Sequence, residues 1–560
     1  MQTIESFLKD SITSEITPDK ISTLKPACFR FWKTYDGLDL NSRKIIQEIF
    51  YEIESLKEKN HLVVKRISFI GYSLGGLISR YVIGLLNEIG FFEQVEPVFF
   101  TTFATPHLGI EFFKKNVFDG IANHVGPYLF GKSGGQLFLA DHEKLLVQLA
   151  DPDKKFLQGL SKFKRHILLA NVKNDRTVAF YTSFITSYSP FEDLDKVKIK
   201  YLKKLPHTRI AGKLVRPKFI DLNRSHVVPL HESRLFKGNI QEETPLIRKN
   251  KYLKILVIIL LTSLFVPVWI PFIFSTSITV SIYSFVKVKI HKLPNVKHHW
   301  KRVLEYVYEN SPIDPEDLKA SRKSREKRSQ VENHESFKGD TSHITEGTME
   351  GMLYAEERFA DRNKSQDSRA NEEEEEEEEE EDDDDEDDED DEDVDADADD
   401  SSSFSGRVSV PESQLEGQEN GDFKVGNSMG PKMKKDILSG KKISTSKLVD
   451  MDYELNDKVI VEHIPTLENY TDSKLFEKRV ELPLSNDKRY MMENLNKIKW
   501  IKVPVFLDVW NAHDGIVSRR GPKTNPKGAA TIGLWVSVLR TYMQGEDKYR
   551  DNDSTLVDVS

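Results

Sequence analysis

The sequence has almost no cysteine: Cys28 is the one such residue in 560. A lone cysteine cannot close an internal disulfide or supply a cysteine-based zinc site, which excludes a small disulfide-held or zinc-held scaffold. The first sixteen residues also lack the charged and then apolar layout of a signal peptide. We therefore expect a protein of a reducing compartment that is not secreted.

The acidic residues are unevenly distributed along the chain, whose net charge is −11. Residues 372–400 are acidic at 26 of 29 positions, and the rest of the chain has 65 acidic residues against 80 basic ones. Like charges at this density repel each other into an extended coil, so the simpler interpretation is a solvated spacer. The alternative is a docking segment for basic partners. A nucleic-acid partner is not expected.

The hydrophobic pattern of residues 1–205 is typical of an α/β protein with a mostly parallel sheet and helices on both faces. Short, continuous apolar runs predict strands that are buried on both sides. These strands are expected at Ala27–Phe31, Val63–Ile70, Pro97–Ala104 and His166–Val172. Amphipathic segments between them predict helices at Ser42–Lys57, Gly75–Ile89 and Glu143–Lys162.

The remainder of the chain changes composition several times. We interpret its parts as a connecting segment (206–250), a membrane-embedded segment (251–292), a disordered acidic linker (311–450), a second piece of the α/β core (490–545) and a disordered tail (546–560). Within the second piece of the core, the pattern predicts a strand at Val503–Trp510 and a helix at Ala529–Tyr542.

Residues 255–286 carry no charged side chain over 32 positions, which is typical of a membrane segment. A straight helix of that length would measure about 48 Å, well beyond a hydrocarbon core of about 30 Å. Pro267 and Pro271 lie near its middle and would break the helix. Both flanks are basic, which favours the cytosolic side for both. The sequence therefore predicts a hairpin, and a single tilted span is the alternative.

The strongest chemical pattern is Gly-Tyr-Ser-Leu-Gly at residues 71–75, between an apolar strand pattern and an apolar helix pattern. A G-x-S-x-G sequence in this context is typical of a nucleophile elbow, in which a sharp turn exposes the oxygen of Ser73. Gly71 and Gly75 are expected to let the helix approach the strand. The backbone N–H of Leu74 is expected to face a developing oxyanion. A glycine-rich turn without chemistry is the alternative.

A serine nucleophile needs a base, and the base needs an acid that orients it. Asp175 directly follows an apolar strand pattern and is the candidate acid, with a turn-capping aspartate as the alternative. Among the histidines after Asp175, His513 alone follows a strong strand pattern and precedes a terminal helix. It is the candidate base, with an ordinary loop histidine as the alternative. The long stretch between the two must loop out, which costs little closure entropy.

Two other patterns carry weaker signals. His107, in the sequence ATPHLG, precedes Asp175 and so is in the wrong order for the base; we interpret it as an active-site wall or loop-shaping residue. Residues 126–133 formally match a phosphate-binding loop, but no apolar strand precedes them and Pro127 removes one N–H donor. Nucleotide binding is therefore not expected, and no histidine spacing indicates a metal site.

Four segments carry a resemblance to a known family: GYSLGGLISRYVIG, FATPHLGIEF, ANVKNDRTVAFYTSFI and WNAHDGIVSRRG. In this order they resemble the serine-esterase family of α/β-hydrolases, and within it the fungal lipid-droplet phospholipases. The resemblance implies Ser73 as nucleophile, Asp175 as acid and His513 as base. It also implies glycerophospholipid substrates and a cytosol-facing site on lipid droplets, whose phospholipid monolayer accepts a hairpin but not a spanning helix.

The resemblance also implies a strand that this sequence does not contain. Family members open with an apolar strand ending in His-Gly-Leu, whose loop helps to form the oxyanion hole, whereas Met1 lies within the helix that follows this strand. We therefore expect the N-terminal strand and one oxyanion donor to be missing. Truncation is the favoured cause, because a decaying enzyme would have lost part of its triad.

The sequence thus predicts an α/β-hydrolase interrupted by a membrane hairpin and an acidic insertion. Its expected function is hydrolysis of acyl esters of glycerophospholipids at lipid droplets or the endoplasmic reticulum, with no metal or organic cofactor. One alternative is a neutral acylglycerol lipase. Another is a non-catalytic, membrane-tethered scaffold that recruits partners through its acidic insertion.

Overall fold

The computed structural model describes residues 1–12, 20–26, 36–113, 123–124, 126–128, 131–175, 177–192, 194, 197–205, 208–210, 213–228, 295–309, 449–450, 453–468, 470 and 473–554, with single positions at 275, 279 and 323. These residues belong to the unit formed by Met1–Ser336 and Lys442–Ser560. The predicted strand at 27–31 lies outside the described residues, as do nearly all of the predicted membrane hairpin at 251–292 and nearly all of the acidic linker.

Within the described part of the chain there are nine strands: β1 (Arg66–Tyr72), β2 (Glu96–Phe103), β3 (Arg165–Asn171), β4 (Val197–Lys198), β5 (Thr208–Ile210), β6 (Lys213–Val215), β7 (His226–Val227), β8 (Val449–Asp450) and β9 (Trp500–Val505). The main sheet has the order β1-β2-β3-β9, and all of its neighbouring strands are parallel. The other strands form a β4-β7 pair and a small β6-β5-β8 sheet.

The described residues also form twelve α-helices: α1 (Gln2–Ser11), α2 (Leu38–Asn60), α3 (Leu74–Glu88), α4 (Gly131–Leu137), α5 (Leu145–Leu149), α6 (Lys155–Leu160), α7 (Phe180–Phe184), α8 (Val296–Val303), α9 (Tyr453–Glu468), α10 (Asn486–Leu495), α11 (Ala512–Gly515) and α12 (Pro526–Ser554). A π-helical turn at Leu304–Tyr308 continues α8. Short 3₁₀ turns lie at Phe91–Glu93, Pro190–Glu192 and Lys478–Val480.

The main sheet is covered on both faces, because successive side chains of a strand point to opposite sides. On β2, Phe100 belongs to one apolar cluster and Phe99 to the other. Helices α2, α3, α6 and α8 supply the cluster of Phe100, whereas α1, α9 and α12 supply that of Phe99. Trp535 of α12 donates from its indole to the hydroxyl of Thr101 at 3.3 Å. The predicted α/β fold, a parallel sheet between two layers of helices, is confirmed in this part of the chain.

Strand β9 joins the sheet from far along the chain, and buried polar contacts fix its position. The ammonium group of Lys502 is fully buried and donates to the carbonyls of Phe184 and Ile185 at 2.8 and 3.1 Å and to Asn496 Oδ1 at 2.9 Å. Burial lowers the pKa of Lys502 well below its ordinary value. These contacts connect β9 to the end of α7 and to the residue that follows α10.

Several predicted elements differ in extent. The helix expected at Glu143–Lys162 is two short helices, α5 and α6, because Pro152 cannot continue a helix. The strand expected at Val503–Trp510 begins at Trp500 and ends at Val505. Phe506 then bonds to Lys218 rather than continuing along β3.

Order also returns earlier, and lasts longer, than the composition suggests. Strand β8 lies at the end of the expected linker and pairs with β5, and α9 follows it before the expected restart at residue 490. Helix α12 continues to Ser554, into the expected tail. Among the described residues, no helix combines the length and apolar character needed to cross a membrane.

Candidate active site

Ser73 lies at the sharp turn from β1 into α3. Its backbone is in the left-handed region, with φ of 52° and ψ of −128°, a conformation that costs a non-glycine residue free energy. The turn is held on both sides: the Ser73 N–H donates to the carbonyl of Phe103 at 2.9 Å, and Thr105 Oγ1 donates to the Ser73 carbonyl at 3.0 Å. The strained geometry expected of a nucleophile elbow is therefore present.

The glycines around Ser73 have different roles from those predicted. A Cβ on Gly71 would lie 2.3 Å from the Cα of Gly76, so Gly71 does permit the close approach of strand and helix. A Cβ on Gly75 would meet nothing within 4 Å, so the prediction that Gly75 permits this approach is wrong. The second close contact is made by Gly76, where a Cβ would lie 2.2 Å from Thr105 Oγ1. The helix therefore packs through its third residue.

Asp175 lies four residues beyond the end of β3, and its carboxylate is nearly completely buried. One oxygen accepts the backbone N–H groups of Thr177 and Val178, at 3.1 and 2.8 Å. The other accepts the side-chain amide of Asn171 at 2.8 Å and faces His513 Nδ1 at 3.0 Å. Both carboxylate oxygens thus have partners, which fixes the orientation of the side chain.

His513 lies on the single turn of α11 and joins the other two residues. Its Nδ1 lies 3.0 Å from Asp175 Oδ2, and its Nε2 lies 2.9 Å from Ser73 Oγ. The imidazole is buried, with 7% of its side chain exposed. The structure thus brings the three residues predicted from the sequence into one line of hydrogen bonds, from carboxylate to imidazole to hydroxyl.

The loops that carry the acid and the base are bonded to each other. The Ala512 N–H donates to the Asn174 carbonyl at 3.2 Å, and the Asn174 amide donates to the Val509 carbonyl at 2.9 Å. Asn171 also donates to the Ala512 carbonyl at 3.1 Å, so it contacts both sides of the Asp175–His513 pair. These contacts hold His513 in place although its helix has only four residues.

Leu74 is the first residue of α3, immediately after the candidate nucleophile. The first N–H groups of a helix have no acceptor within the helix and carry its partial positive charge. The Leu74 N–H is therefore suited to stabilise an oxyanion that forms on a carbonyl carbon next to Ser73.

His107 is placed in the core. Its side chain is fully buried, and Nε2 lies 3.0 Å from Thr102 Oγ1 on β2. Its carbonyl accepts a hydrogen bond from Arg80 at 3.2 Å, which agrees with a loop-shaping role but not with a wall of the site. Burial lowers the pKa of His107 well below its ordinary value, and the nearby positive charges of Arg80 and Lys502 act in the same direction.

Two residues of the phosphate-loop pattern, Lys132 and Ser133, contact the start of α2. Lys132 forms an ion pair with Asp39 at 2.9 Å, and Ser133 Oγ accepts the Gly37 N–H at 3.2 Å at the start of α2. His463, a further histidine after Asp175, lies 3.0 Å from the Lys203 carbonyl. Over the described ranges, no group of three or more His, Cys, Asp or Glu residues is arranged to hold a metal ion.

Some residues that shape the site were not found from the sequence. Thr105 and Asn171 hold the nucleophile turn and the acid, yet single polar residues at strand ends are too common to stand out. Asp514, next to the histidine, binds Tyr72 next to the serine. Its position beside His513 is a signal that could have identified it.

Comparison with known proteins gives a family for the first part of the chain. Residues 4–188 match the family described as "Putative serine esterase (DUF676)". This range contains Ser73 and Asp175, whereas His513 lies outside it. No solved structure matches.

Fungal proteins named as lipases are similar over short ranges. "Putative lipase C4A8.10" of Schizosaccharomyces pombe is 37% identical over 126 residues, which cover 21% of this chain and 16% of that protein. "Putative lipase ROG1" of Saccharomyces cerevisiae is 32% identical over 196 residues, 32% of this chain and 26% of that protein. "Putative lipase YDL109C" of Saccharomyces cerevisiae is 35% identical over 125 residues, covering 21% and 19% respectively. The matched parts therefore span about a quarter or less of these relatives.

Proposed function

We propose that this chain, which matches that family of serine esterases over residues 4–188, hydrolyses acyl esters with Ser73 as nucleophile, His513 as base and Asp175 as orienting acid. The observation that carries the proposal is the continuous line of contacts, 2.9 Å from Ser73 Oγ to His513 and 3.0 Å from His513 to Asp175. It lies at the carboxyl ends of β1, β3 and β9, where open parallel sheets bind ligands.

The geometry gives each group a step in the reaction. Ser73 Oγ attacks the ester carbonyl while His513 Nε2 takes its proton, and the N–H of Leu74 stabilises the oxyanion. His513 then protonates the leaving alcohol as the acyl–oxygen bond breaks. Water, activated by the same nitrogen, releases the acid and restores Ser73. Asp175 holds the Nδ1 proton throughout and stabilises the imidazolium.

The substrate class we propose is glycerophospholipid, at the cytosolic surface of lipid droplets. Three similar fungal proteins carry the name lipase, which supports a water-insoluble ester rather than a soluble one. The uncharged run at 255–286, with basic residues on both sides, supports a membrane-anchored protein.

The packing on either side of that run supports a hairpin over a single span. Before it, residues 218–220 bond along the outer edge of β9. After it, α8 packs on α2, where Arg302 pairs with the buried Glu54 at 2.8 Å and Trp300 stacks on Phe50. A segment whose two flanks pack in one folded core has to enter and leave the membrane on the same side.

Topology can be tested by protease protection on intact microsomes, with tags at both termini of the full chain. Equal exposure of both tags is the expected result. Protection of only one tag would contradict the hairpin. It would also contradict the triad, because His513 would then be separated from Ser73 by the membrane.

The catalytic proposal is tested with a fluorophosphonate probe on the purified full chain. We expect labelling of the wild type and none of Ser73→Ala. Ser79→Ala is the matched control, because its hydroxyl donates to the Gly75 carbonyl one turn along the same helix. Labelling that survives Ser73→Ala would disprove the assignment of the nucleophile.

Lipid analysis of the same samples tests the substrate class. Mixed droplets of phospholipid and triacylglycerol are incubated with wild type and with Ser73→Ala. Release of lysophospholipid by the wild type alone is expected. Release of diacylglycerol with intact phospholipid would instead identify a neutral acylglycerol lipase, which the relatives' names also accommodate.

A further inference from the structure

The residue before the nucleophile is bonded to the residue after the base. Tyr72 is the last residue of β1, and its hydroxyl donates to Asp514 Oδ1 at 3.1 Å. Asp514 directly follows His513 on α11, and 8% of its side chain is exposed. One hydrogen bond therefore joins the strand that ends at Ser73 to the helix that carries His513.

The ring of Tyr72 also contacts the imidazole itself. The ring centroids of Tyr72 and His513 are 5.0 Å apart, and the planes are inclined at 38°. His513 is bonded to Asp175 through Nδ1 and to Ser73 through Nε2. These two bonds do little to stop the imidazole ring from tilting about the line between its nitrogens. A ring packed on one face of the imidazole restricts that rotation.

The carboxylate of Asp514 has a second partner in Arg519. Arg519 Nη1 donates to the same oxygen, Oδ1, at 3.0 Å, so the carboxylate receives both a hydroxyl and a guanidinium. Burying a carboxylate without a cation beside it costs free energy. The ion pair with Arg519 therefore helps to keep Asp514 in the buried position where it accepts from Tyr72. The Asp514 N–H also donates to Asn511 Oδ1, which caps α11 at its start.

The base needs such support because its helix cannot supply it. Helix α11 has four residues, too few to be stable without tertiary contacts. Catalysis depends strongly on distance, since a misplacement of about 1 Å costs on the order of 100-fold in rate. From this geometry we propose that Tyr72, Asp514 and Arg519 form a clamp that positions His513 against Ser73. The inference rests on the proposed function, and the three are positioning residues that need not touch the substrate.

The test measures kcat and KM of the full chain on a soluble short-chain ester. Tyr72→Phe keeps the ring but removes the hydroxyl, and Asp514→Asn removes the charge that binds it. We expect kcat to fall about tenfold in each, within the range that misplacement of a base produces, with KM unchanged. Arg519→Gln is expected to have a smaller effect in the same direction, because it acts through Asp514.

The double variant Tyr72→Phe/Asp514→Asn separates a clamp from two unrelated contacts. If the residues act through one bond, the double variant is no slower than the slower single variant. Tyr188→Phe is the matched control, since its ring stacks on Phe476 instead, and wild-type kcat is expected. Urea unfolding midpoints are measured in parallel, so that kcat is compared at equal folded fraction.

The outcomes distinguish this inference from the proposed function. Wild-type kcat in Tyr72→Phe and Asp514→Asn, with no activity in Ser73→Ala, would overturn the clamp and leave the triad intact. A double variant whose loss of kcat equals the product of the two single losses would also overturn the clamp, because the residues would then act independently. A wild-type chain that neither hydrolyses esters nor reacts with a fluorophosphonate would overturn the proposed function, and the clamp with it.

Discussion

The two parts of the chain that build the site reach it in different ways. Residues 66–175 contain β1, β2 and β3 with Ser73 and Asp175, and they lie within the one continuous stretch that matches the family. Residues 500–515 lie far beyond that match and supply β9 and His513. In the first part, Ser73 and Asp175 are positioned by the turns that directly follow β1 and β3. The second is positioned by pairing with β3 and by buried contacts such as those of Lys502.

This contrast shows which residues a short motif can fix. The backbone of Ser73 has an unusual φ of 52° because strand, serine and helix follow each other within a few residues. The position of His513 depends on Asn171 and Asn174, which belong to the other part of the chain. A change in the first part should therefore act mainly on the local turn, and a change in the second on the alignment of distant elements.

Removing the imidazole is expected to have the largest effect. We expect His513→Ala to lower kcat by about 10⁶-fold, since loss of the base in such a triad is as severe as loss of the nucleophile. The measurement is hydrolysis of a soluble ester at pH 7. His463→Ala is the control, because His463 lies 3.0 Å from the main-chain carbonyl of Lys203 rather than between a carboxylate and a serine, and it should keep wild-type kcat. Comparable losses in both variants would contradict the special position of His513.

Neutralising the acid of the first part should cost less. We expect Asp175→Asn to lower kcat by about 10⁴-fold, because an amide no longer holds the imidazole in the right tautomer. The folded state should survive, since an amide oxygen can still accept from Thr177 and Val178. The ester assay and near-ultraviolet circular dichroism together check this. Activity within tenfold of the wild type would mean that another carboxylate orients His513.

The local turn can be tested by two glycine substitutions. Gly71→Ala should destabilise the fold by about 3 kcal/mol or more, because its Cβ would lie 2.3 Å from the Cα of Gly76 and backbone cannot yield easily. Gly75→Ala should be neutral or stabilising by up to about 1 kcal/mol, since nothing lies within 4 Å and alanine favours helices. Urea unfolding measures both. Equal destabilisation would contradict the packing seen here.

A smaller effect is expected from pH, through a histidine at the border of the two parts. His166 pairs with Trp500 across β3 and β9, and burial lowers its pKa from 6.5 to about 4. His166 therefore takes up a proton at higher pH in the unfolded chain than in the folded one. Its contribution to the free energy of unfolding is complete above pH 6.5 and is lost as the pH falls toward 4. Between pH 7 and pH 5, this residue should lower the free energy of unfolding by about 2 kcal/mol.

Urea midpoints at pH 5, 6 and 7 measure this dependence. We expect His166→Gln to flatten it, because glutamine does not titrate. His142→Gln is the control, since that side chain is exposed and should leave the dependence as it is. A wild-type profile without any loss between pH 7 and pH 5 would contradict a buried, neutral His166.

Much of the sheet and the three central site residues could be predicted because each has a short-range signal. The strands β1 to β3 are continuous apolar runs, and Ser73 lies in a G-x-S-x-G motif that predicts a sharp turn between strand and helix. The failures have physical causes as well. Pro152 split an expected helix, and β8 and α9 were missed because their order depends on pairing with β5 and packing near α12. The reason assigned to Gly75 was wrong because the contact falls at Gly76.

The sequence by itself determined the class of fold, the strained turn at Ser73, and the candidates Asp175 and His513, because local patterns of hydrophobicity and glycine encode strands, helices and turns. Only the tertiary structure decided that these three residues meet within hydrogen-bonding distance. It alone also showed that His107 is buried in the core and that Tyr72 binds Asp514. Contacts between residues more than 300 positions apart depend on how strands pair and layers pack, and no local pattern carries that information.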